Sequence, residues 1–112
     1  MGINNLFISE KAKTALTEIQ KHLIADFEIE ELVVFGAGVK KAADEDVDPD
    51  ILVITKEQVD FDEKQAMKKF VAGINDSFGT SFKLMVFDRN TWEVWSGQSL
   101  YQEVTREGMA IW

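Results

Sequence analysis

Two aspartates at the entrance of an apolar segment are the residues in this sequence best suited to chemistry. Asp48 and Asp50 flank Pro49 and are followed by Ile-Leu-Val-Ile. Residues two apart on a strand project from the same face, so the two carboxylates would lie roughly 7 Å apart and repel each other unless they share a cation. Because Mg²⁺ takes hard oxygen ligands, the pair indicates a metal site. The alternative is a strand entrance with two exposed acids.

A glycine-rich segment stands upstream of this acidic pair. Gly36-Ala37-Gly38 ends an apolar strand and opens a possible helical turn over residues 39–44. Small residues at such a point let backbone N–H groups approach a phosphate closely. Lys40 and Lys41 follow at positions where a triphosphate needs positive charge. The alternative for both lysines is an ordinary solvent-facing position.

Three further acids precede the pair, and we predict that Asp44, Glu45 and Asp46 form a solvated loop. A calcium-binding loop is the other interpretation of so many acids. An EF-hand loop beginning at Asp46 would place Ile51 where the turn requires glycine, and an apolar strand would run through its middle. The pattern therefore argues against calcium.

The elements that must position these residues follow from hydrophobic spacing. Apolar residues three and four apart predict helices, and short continuous apolar runs predict strands. Ser9 is the predicted N-cap of the first helix, and Gly79 ends the second. Helices are predicted over residues 9–27, 62–78 and 99–107, strands over 32–35, 48–55, 81–87 and 109–112, and a turn or short helix over 90–95. We therefore predict an α/β (α+β) fold, a small mixed β-sheet flanked by helices, in a single domain over residues 1–112.

Composition and charge exclude several classes of protein. The chain has 112 residues, 46% of them apolar and 29% charged, as in an ordinary globular domain. Its net charge of −8 disfavours tight nonspecific nucleic-acid binding. The chain has no cysteine, which excludes a disulfide or a thiolate zinc site and fits the cytoplasm. No apolar run reaches about 18 residues, so we expect no membrane span, and the start resembles no secretory signal.

The single histidine and the tryptophans are predicted to have structural roles. His22 sits beside the apolar stripe of the first helix, and we expect a surface or boundary residue without an acidic partner at helical spacing. Trp92, Trp95 and Trp112, with Tyr101, could form a base-stacking surface. Because such a surface needs cationic neighbours that this acidic chain lacks, we predict a core or dimer interface instead.

Taken together, the spacing resembles that of the minimal nucleotidyltransferase (MNT) family. Phe35-Gly36 and Asp48-Pro49-Asp50 stand at the family's spacing, and the apolar strand and the closing helix, glycine and strand of the C-terminus follow. The resemblance implies the nucleotidyltransferase fold and transfer of a nucleoside monophosphate, most simply AMP from ATP, with Mg²⁺. It also implies Asp48 and Asp50 as catalytic and metal-binding residues, and Gly36, Ala37, Gly38 and Lys40 as the nucleotide-binding segment.

Two positions depart from the family pattern. Ala37 replaces the serine whose hydroxyl helps to hold the phosphates, and Lys83 stands where the family has its third carboxylate. A lysine there would face Asp48 and Asp50, compete with Mg²⁺ or substitute for it as a fixed counter-charge. Asp88 lies five residues further along the strand, on the opposite face, and is a poor replacement. We therefore expect a weak or inactive transferase.

Two classes of function follow from these observations. The first is a nucleotidyltransferase, weakened by the departures. The second is a non-catalytic binding module that keeps the fold and binds a protein partner or a second copy of itself. The resemblance implies a helical HEPN-like partner of the kind found in toxin–antitoxin pairs.

Overall fold

A four-stranded mixed sheet lies between two pairs of helices. The computed structural model describes residues 2–42 and 47–112, so the predicted solvated loop at Asp44, Glu45 and Asp46 lies outside the described residues. The helices are α1 (Glu10–Asp26), α2 (Phe61–Phe78), α3 (Arg89–Val94) and α4 (Ser99–Glu107), and the strands are β1 (Ile29–Phe35), β2 (Asp50–Thr55), β3 (Lys83–Asp88) and β4 (Met109–Ala110). Short 3₁₀ helices cover Ile3–Asn5 and Trp95–Gly97. The predicted fold class is confirmed.

Side-chain caps define where the two long helices begin. Ser9 accepts a hydrogen bond from the backbone N–H of Ala12 at 3.0 Å, which confirms it as the N-cap of α1. Asp60 caps α2 in the same way, because its Oδ1 accepts a hydrogen bond from the backbone N–H of Glu63 at 2.8 Å. Gly79 follows the last turn of α2, as predicted.

The order of strands brings three chain segments to one end of the sheet. The order is β3-β2-β1-β4, with β1 antiparallel to both β2 and β4, and β2 parallel to β3. In this register Asp50 pairs with Phe35 on one side and with Lys83 on the other. The end of β1 and the starts of β2 and β3 therefore lie together.

The sheet is buried on both faces. Ile51 and Val53 face α1 and α2, whereas Leu52 and Ile54 face α3 and α4. All four side chains have at most 1% of their surface exposed. This two-sided burial explains the continuous apolar run, because a strand covered on only one face would alternate apolar and polar residues.

Arg89 ties α3 to the sheet. Its guanidinium donates hydrogen bonds to Glu30 and Glu31 of β1 and to Glu93 one turn along α3. Burial acts against the charge, but these hydrogen bonds outweigh it and raise the pKa of Arg89. The ion pairs of Arg89 with these three glutamates hold α3 against the sheet.

The loop and tail differ from the sequence predictions. Residues 37–39 form a turn, and no helix begins in the described residues 39–42, so the predicted helical turn is wrong there. The strand β2 begins at Asp50 rather than Asp48, with a buried Pro49 just before it. The last strand covers two residues rather than four.

The aromatic predictions are confirmed only in part. Trp92 is buried and stacks on Tyr101 at 4.9 Å, as expected of a core residue. Trp95 and Trp112 are 39% and 54% exposed. His22 is a boundary residue stacked on Phe70.

The expectation that His22 lacks an acidic partner is wrong. Its Nε2 lies 2.8 Å from Asp26 Oδ2, one turn further along α1. This spacing of four residues is visible in the sequence.

In the described part of the chain, no helix is long and apolar enough to cross a membrane.

Candidate functional site

Asp50 occupies the centre of the sheet end. It is half-buried at the first position of β2, between the last residue of β1 and the first residue of β3. Gly36 follows β1 with φ +88°, and a Cβ added there would lie 3.9 Å from Asp50 Oδ2. Gly36 therefore adopts a left-handed backbone conformation that favours glycine, and it also borders the carboxylate of Asp50.

The environment of Asp50 is unfavourable to its charge. Burial raises the pKa of Asp50 above its ordinary value of 3.8, and the nearby ammonium of Lys83 offsets only part of that effect. Lys83 makes no ion pair with either aspartate among the described residues, although the register places it beside Asp50. Lys83 therefore lies beside Asp50 in the sheet as an exposed strand residue, and its charge reaches Asp50 without a direct ion pair.

We expect Asp50→Asn to stabilise the protein at neutral pH. Because the folded-state pKa is raised, ionisation of Asp50 disfavours the native state, and the stability present below pH 3.8 is lost as the pH rises through the folded pKa. Removing this charge should raise the free energy of unfolding at pH 7 by about 0.5 kcal/mol, a small value because solvent screens the side chain. Urea unfolding at pH 7 and at about pH 3 measures the difference, which should vanish at the lower pH.

The matched control for this variant is Asp48→Ala. Asp48 accepts hydrogen bonds from Ser81, so its removal should lower the stability at pH 7. A loss of stability in Asp50→Asn similar to that in Asp48→Ala would contradict the assignment of Asp50 as an electrostatically unfavourable group.

Asp48 is engaged with the segment that leads into β3. Its Oδ2 accepts a hydrogen bond from the backbone N–H of Ser81 at 2.9 Å and another from the Ser81 hydroxyl at 3.3 Å. The separation of 33 residues is the same as that between Asp50 and Lys83. Each aspartate of the pair therefore has its own neighbour on the β3 segment, a serine for Asp48 and a lysine for Asp50.

This set of groups does not fit a divalent metal ion well. One oxygen of Asp48 is already hydrogen-bonded twice, and a cation stands beside Asp50. The described residues contain no cluster of three His, Cys, Asp or Glu side chains that could hold a metal. A two-ion phosphoryl-transfer site needs such a third carboxylate. Asp48 and Asp50 as Mg²⁺ ligands stay a prediction, against which the geometry weighs.

Asp88 does not supply the missing carboxylate. It lies at the other end of β3, paired with Thr55, and caps α3 through the N–H of Thr91 at 3.0 Å and the Thr91 hydroxyl at 2.7 Å. These hydrogen bonds lower the pKa of Asp88. Its role is structural, in agreement with its exclusion on sequence grounds.

A cleft of about 1120 Å³ opens next to Gly36. Pockets that hold small molecules measure roughly 300–1,000 Å³, so a nucleotide could be accommodated. One wall is the loop after β1 and the other is α4. All four predicted nucleotide-binding residues line it. Among the described residues, the lining is Gly36, Ala37, Gly38, Lys40, Lys41, Ala42, Val47, Ser99, Glu103, Arg106 and Glu107. Gly36 lines the cleft and also borders Asp50. The cleft and the acidic pair are therefore adjacent but do not form a single cavity.

The wall formed by α4 was not predicted. Ser99, Glu103, Arg106 and Glu107 recur at helical spacing and face the cleft, while Leu100 and Val104 pack on the sheet. The spacing of polar residues is present in the sequence. Nothing in the sequence, however, shows that this face of α4 lies opposite the loop after β1.

Glu107 stands between two cations of the cleft. Its Oε2 lies 3.7 Å from Lys40 Nζ, and its Oε1 lies 3.8 Å from Arg106 Nε. Lys41 lines the same cleft. Both contacts are long and lie between exposed side chains, so this carboxylate is only weakly bound to the two cations.

Comparison with known proteins identifies the fold. The sequence matches no protein-family model and no curated protein. Its structure is similar to a solved toxin–antitoxin complex, MntA–HepT, with a TM-score of 0.57 and 16% identity over 89% of this chain and 71% of that chain. A second is the tri-AMPylated HEPN toxin of Shewanella oneidensis in complex with an MNT antitoxin, with a TM-score of 0.58, 16% identity and the same shares of the two chains.

A third similar structure is a toxin–antitoxin complex with AMP-PNP. Its TM-score is 0.58 at 14% identity, over 93% of this chain and 73% of that chain. Identities this low establish a shared fold rather than a shared activity. The protein has a nucleotidyltransferase-like fold. Within that class its fold is of the minimal nucleotidyltransferase type, that of MntA, as the resemblance predicted.

Proposed function

We propose that this chain binds a nucleoside triphosphate in the cleft between the loop after β1 and α4, and transfers a nucleoside monophosphate weakly or not at all. The single observation that carries the proposal is the pairing of Lys83 with Asp50 in register, at the start of β3. Lys83 stands at the neighbouring position of β3, where a metal ion bound to Asp50 would need another carboxylate.

The binding half of the proposal rests on the chemistry of the cleft. Lys40, Lys41 and Arg106 supply three positive charges, of which two already hold the carboxylate of Glu107. The positive-φ turn at Gly36 exposes backbone beside them. A bound triphosphate would displace the carboxylate of Glu107 from Lys40 and Arg106. Among the similar solved structures, one contains AMP-PNP, and we extend nucleotide binding to this chain on that basis.

The test of weak transfer is pyrophosphate release from ATP with Mg²⁺, alongside calorimetry with ATP and with Mg²⁺ alone. We expect ATP to bind, Mg²⁺ alone to bind poorly, and turnover to remain at background in wild type and in Asp50→Asn. Robust turnover that Asp50→Asn abolishes would overturn the inactive assignment and support Asp48 and Asp50 as catalytic residues.

Lys40→Ala and Glu107→Gln should change ATP affinity in opposite directions. The first removes a cation that faces the cleft and should weaken binding about three- to tenfold. The second removes a competing anion and should tighten binding about two- to fivefold. Isothermal calorimetry measures both, with Lys69→Ala on the exposed face of α2 as the control for loss of a remote lysine.

Equal weakening in Lys40→Ala and Lys69→Ala would mean that net charge, rather than the cleft, governs binding. A lower affinity in Glu107→Gln would exclude Glu107 as a competitor for the same cations.

A second candidate function is binding to a protein partner. The observation that favours it is the kind of structure this fold matches, which includes a complex of a HEPN toxin with an MNT antitoxin. We propose a HEPN-like partner in the cytoplasm as this alternative. A pull-down of the tagged chain from its native host, followed by mass spectrometry, tests it. Recovery of the chain without a HEPN-like protein would count against this function.

A further inference from the structure

The position of Lys83 in β3 determines the face of the sheet on which it projects. Side chains alternate between the two faces of a strand, so Lys83 shares the face of Met85, two residues further along. Met85 packs in the apolar cluster beneath α3 and α4, as does Leu52 of the neighbouring strand β2. Asp50 shares the face of Leu52 by the same alternation. Lys83 and Asp50 therefore project on the face of the sheet that α3 and α4 cover.

This arrangement places Lys83 near the end of the cleft that Gly36 lines. Asp50 lies between the two residues, since it pairs with Lys83 on one side and its Oδ2 would lie 3.9 Å from a Cβ added at Gly36 on the other. Adjacent strands are about 4.8 Å apart, and a lysine carries its ammonium on a flexible four-carbon stem. The exposed ammonium of Lys83 is therefore within reach of a phosphate group at this end of the cleft.

Positive side chains outnumber negative ones in the described lining of the cleft. Its charged members are three cations and two carboxylates, namely Lys40, Lys41, Arg106, Glu103 and Glu107. Neither Lys41 nor Lys83 makes an ion pair among the described residues. A polyphosphate in the cleft would therefore meet lysines whose charge no described carboxylate neutralises directly.

The carboxylate of Asp50 makes a cation necessary at the Gly36 end of the cleft. A phosphate there would lie close to Asp50, and two negative groups repel each other unless a positive charge stands near both. The described residues hold no cluster of three carboxylates or other ligands for a metal ion, and Asp48 already accepts two hydrogen bonds from Ser81. The ammonium of Lys83 already acts on Asp50 through its charge, and lysine binds phosphate well as a point charge.

We propose that the cleft binds a nucleoside triphosphate without a divalent metal ion, with the ammonium of Lys83 as the positive partner of the phosphate nearest Gly36. This inference rests on the proposed function and names the form of the nucleotide that the cleft takes. A metal-free triphosphate carries more negative charge than its Mg²⁺ complex. Lys83 offsets part of that charge at one end of the cleft, and the cations of the lining offset part of it along the walls.

Calorimetry on the wild-type chain separates this inference from the proposed function. ATP is titrated in two buffers of equal ionic strength, one with excess Mg²⁺ and one with EDTA. We expect the affinity in EDTA to lie within about threefold of the affinity in Mg²⁺, or above it. A greater loss in EDTA would overturn metal-free binding and leave nucleotide binding in place. Absence of binding in both buffers would overturn the proposed function and this inference together.

A second measurement tests the part played by Lys83. Lys83→Gln keeps a polar side chain at an exposed position and removes the charge, so it should weaken ATP binding in EDTA about three- to tenfold. The control is Lys69→Gln in α2, on the opposite face of the sheet, which should leave the affinity unchanged. Urea unfolding checks that both variants are folded. An unchanged affinity in Lys83→Gln, or an equal loss in Lys69→Gln, would overturn the assignment of Lys83 as the partner of the phosphate.

Discussion

Lys83→Asp is expected to strengthen the binding of a divalent cation at Asp48 and Asp50. The substitution places a carboxylate beside Asp50, in register across β2 and β3, and removes the ammonium that repels a cation. Carboxylates at positions 48, 50 and 83 would then supply the hard oxygen ligands that Mn²⁺ and Mg²⁺ prefer. We expect affinity for Mn²⁺ to rise at least tenfold, measured by calorimetry in the absence of nucleotide.

Two control variants separate the possible causes of such a gain. Lys83→Ala removes the positive charge without adding a ligand, and should increase affinity much less. Lys69→Asp makes the same change of charge on the exposed face of α2, and should leave affinity unchanged. Equal gains in Lys83→Asp and Lys69→Asp would show that net charge alone is responsible. A wild-type affinity as high as that of Lys83→Asp would show that Lys83 does not block the ion.

Gly38→Ala is expected to destabilise the protein by about 2–4 kcal/mol. Gly38 has φ +78°, which favours glycine, and a Cβ there would lie 2.7 Å from Ile8 Cγ2 and 3.3 Å from the carbonyl oxygen of Phe7. The cost therefore combines backbone strain with displacement of the N-terminal segment. Urea unfolding, with the midpoint and the slope fitted separately, measures the loss.

Gly73→Ala provides the matched control because the same atom is added in open space. Gly73 lies in the interior of α2, and a Cβ there would have no neighbour within 4 Å. Alanine favours the helix, so this variant should be more stable by about 0.5–1 kcal/mol. Equal effects of the two substitutions would exclude the close approach to the N-terminal segment as the cause.

Elements set by local spacing could be predicted from the sequence. Local sequence alone predicts the apolar stripe of α1 and its cap at Ser9. It also predicts β2 from the continuous run Ile-Leu-Val-Ile. The position of Lys83 beside Asp50 was implied by the family resemblance rather than by spacing, and the register of β2 and β3 agrees with it. The predicted ends of elements were less accurate than the elements themselves. The strand β2, predicted to begin at Asp48, begins at Asp50, after the buried Pro49.

Contacts between distant segments could not be predicted in the same way. The hydrogen bonds of Ser81 to Asp48 and the position of Glu107 between Lys40 and Arg106 depend on how elements pack. Spacing along the chain determines which face of α4 is polar, but the packing of α4 on the sheet determines what that face meets. For this reason half of the cleft was absent from the sequence prediction.

The docking of the first residues under the loop has a consequence for ligand recognition. The backbone N–H of Phe7 donates to the carbonyl oxygen of Gly38 at 2.7 Å, and the buried side chain of Leu6 anchors this segment in the core. The wall of the cleft thus loses part of its conformational freedom during folding rather than during binding. Preorganisation of this kind lowers the entropic cost of association. If the proposed nucleotide binds this ordered wall, N-terminal docking and nucleotide binding are linked equilibria, and each would favour the other by the same free energy.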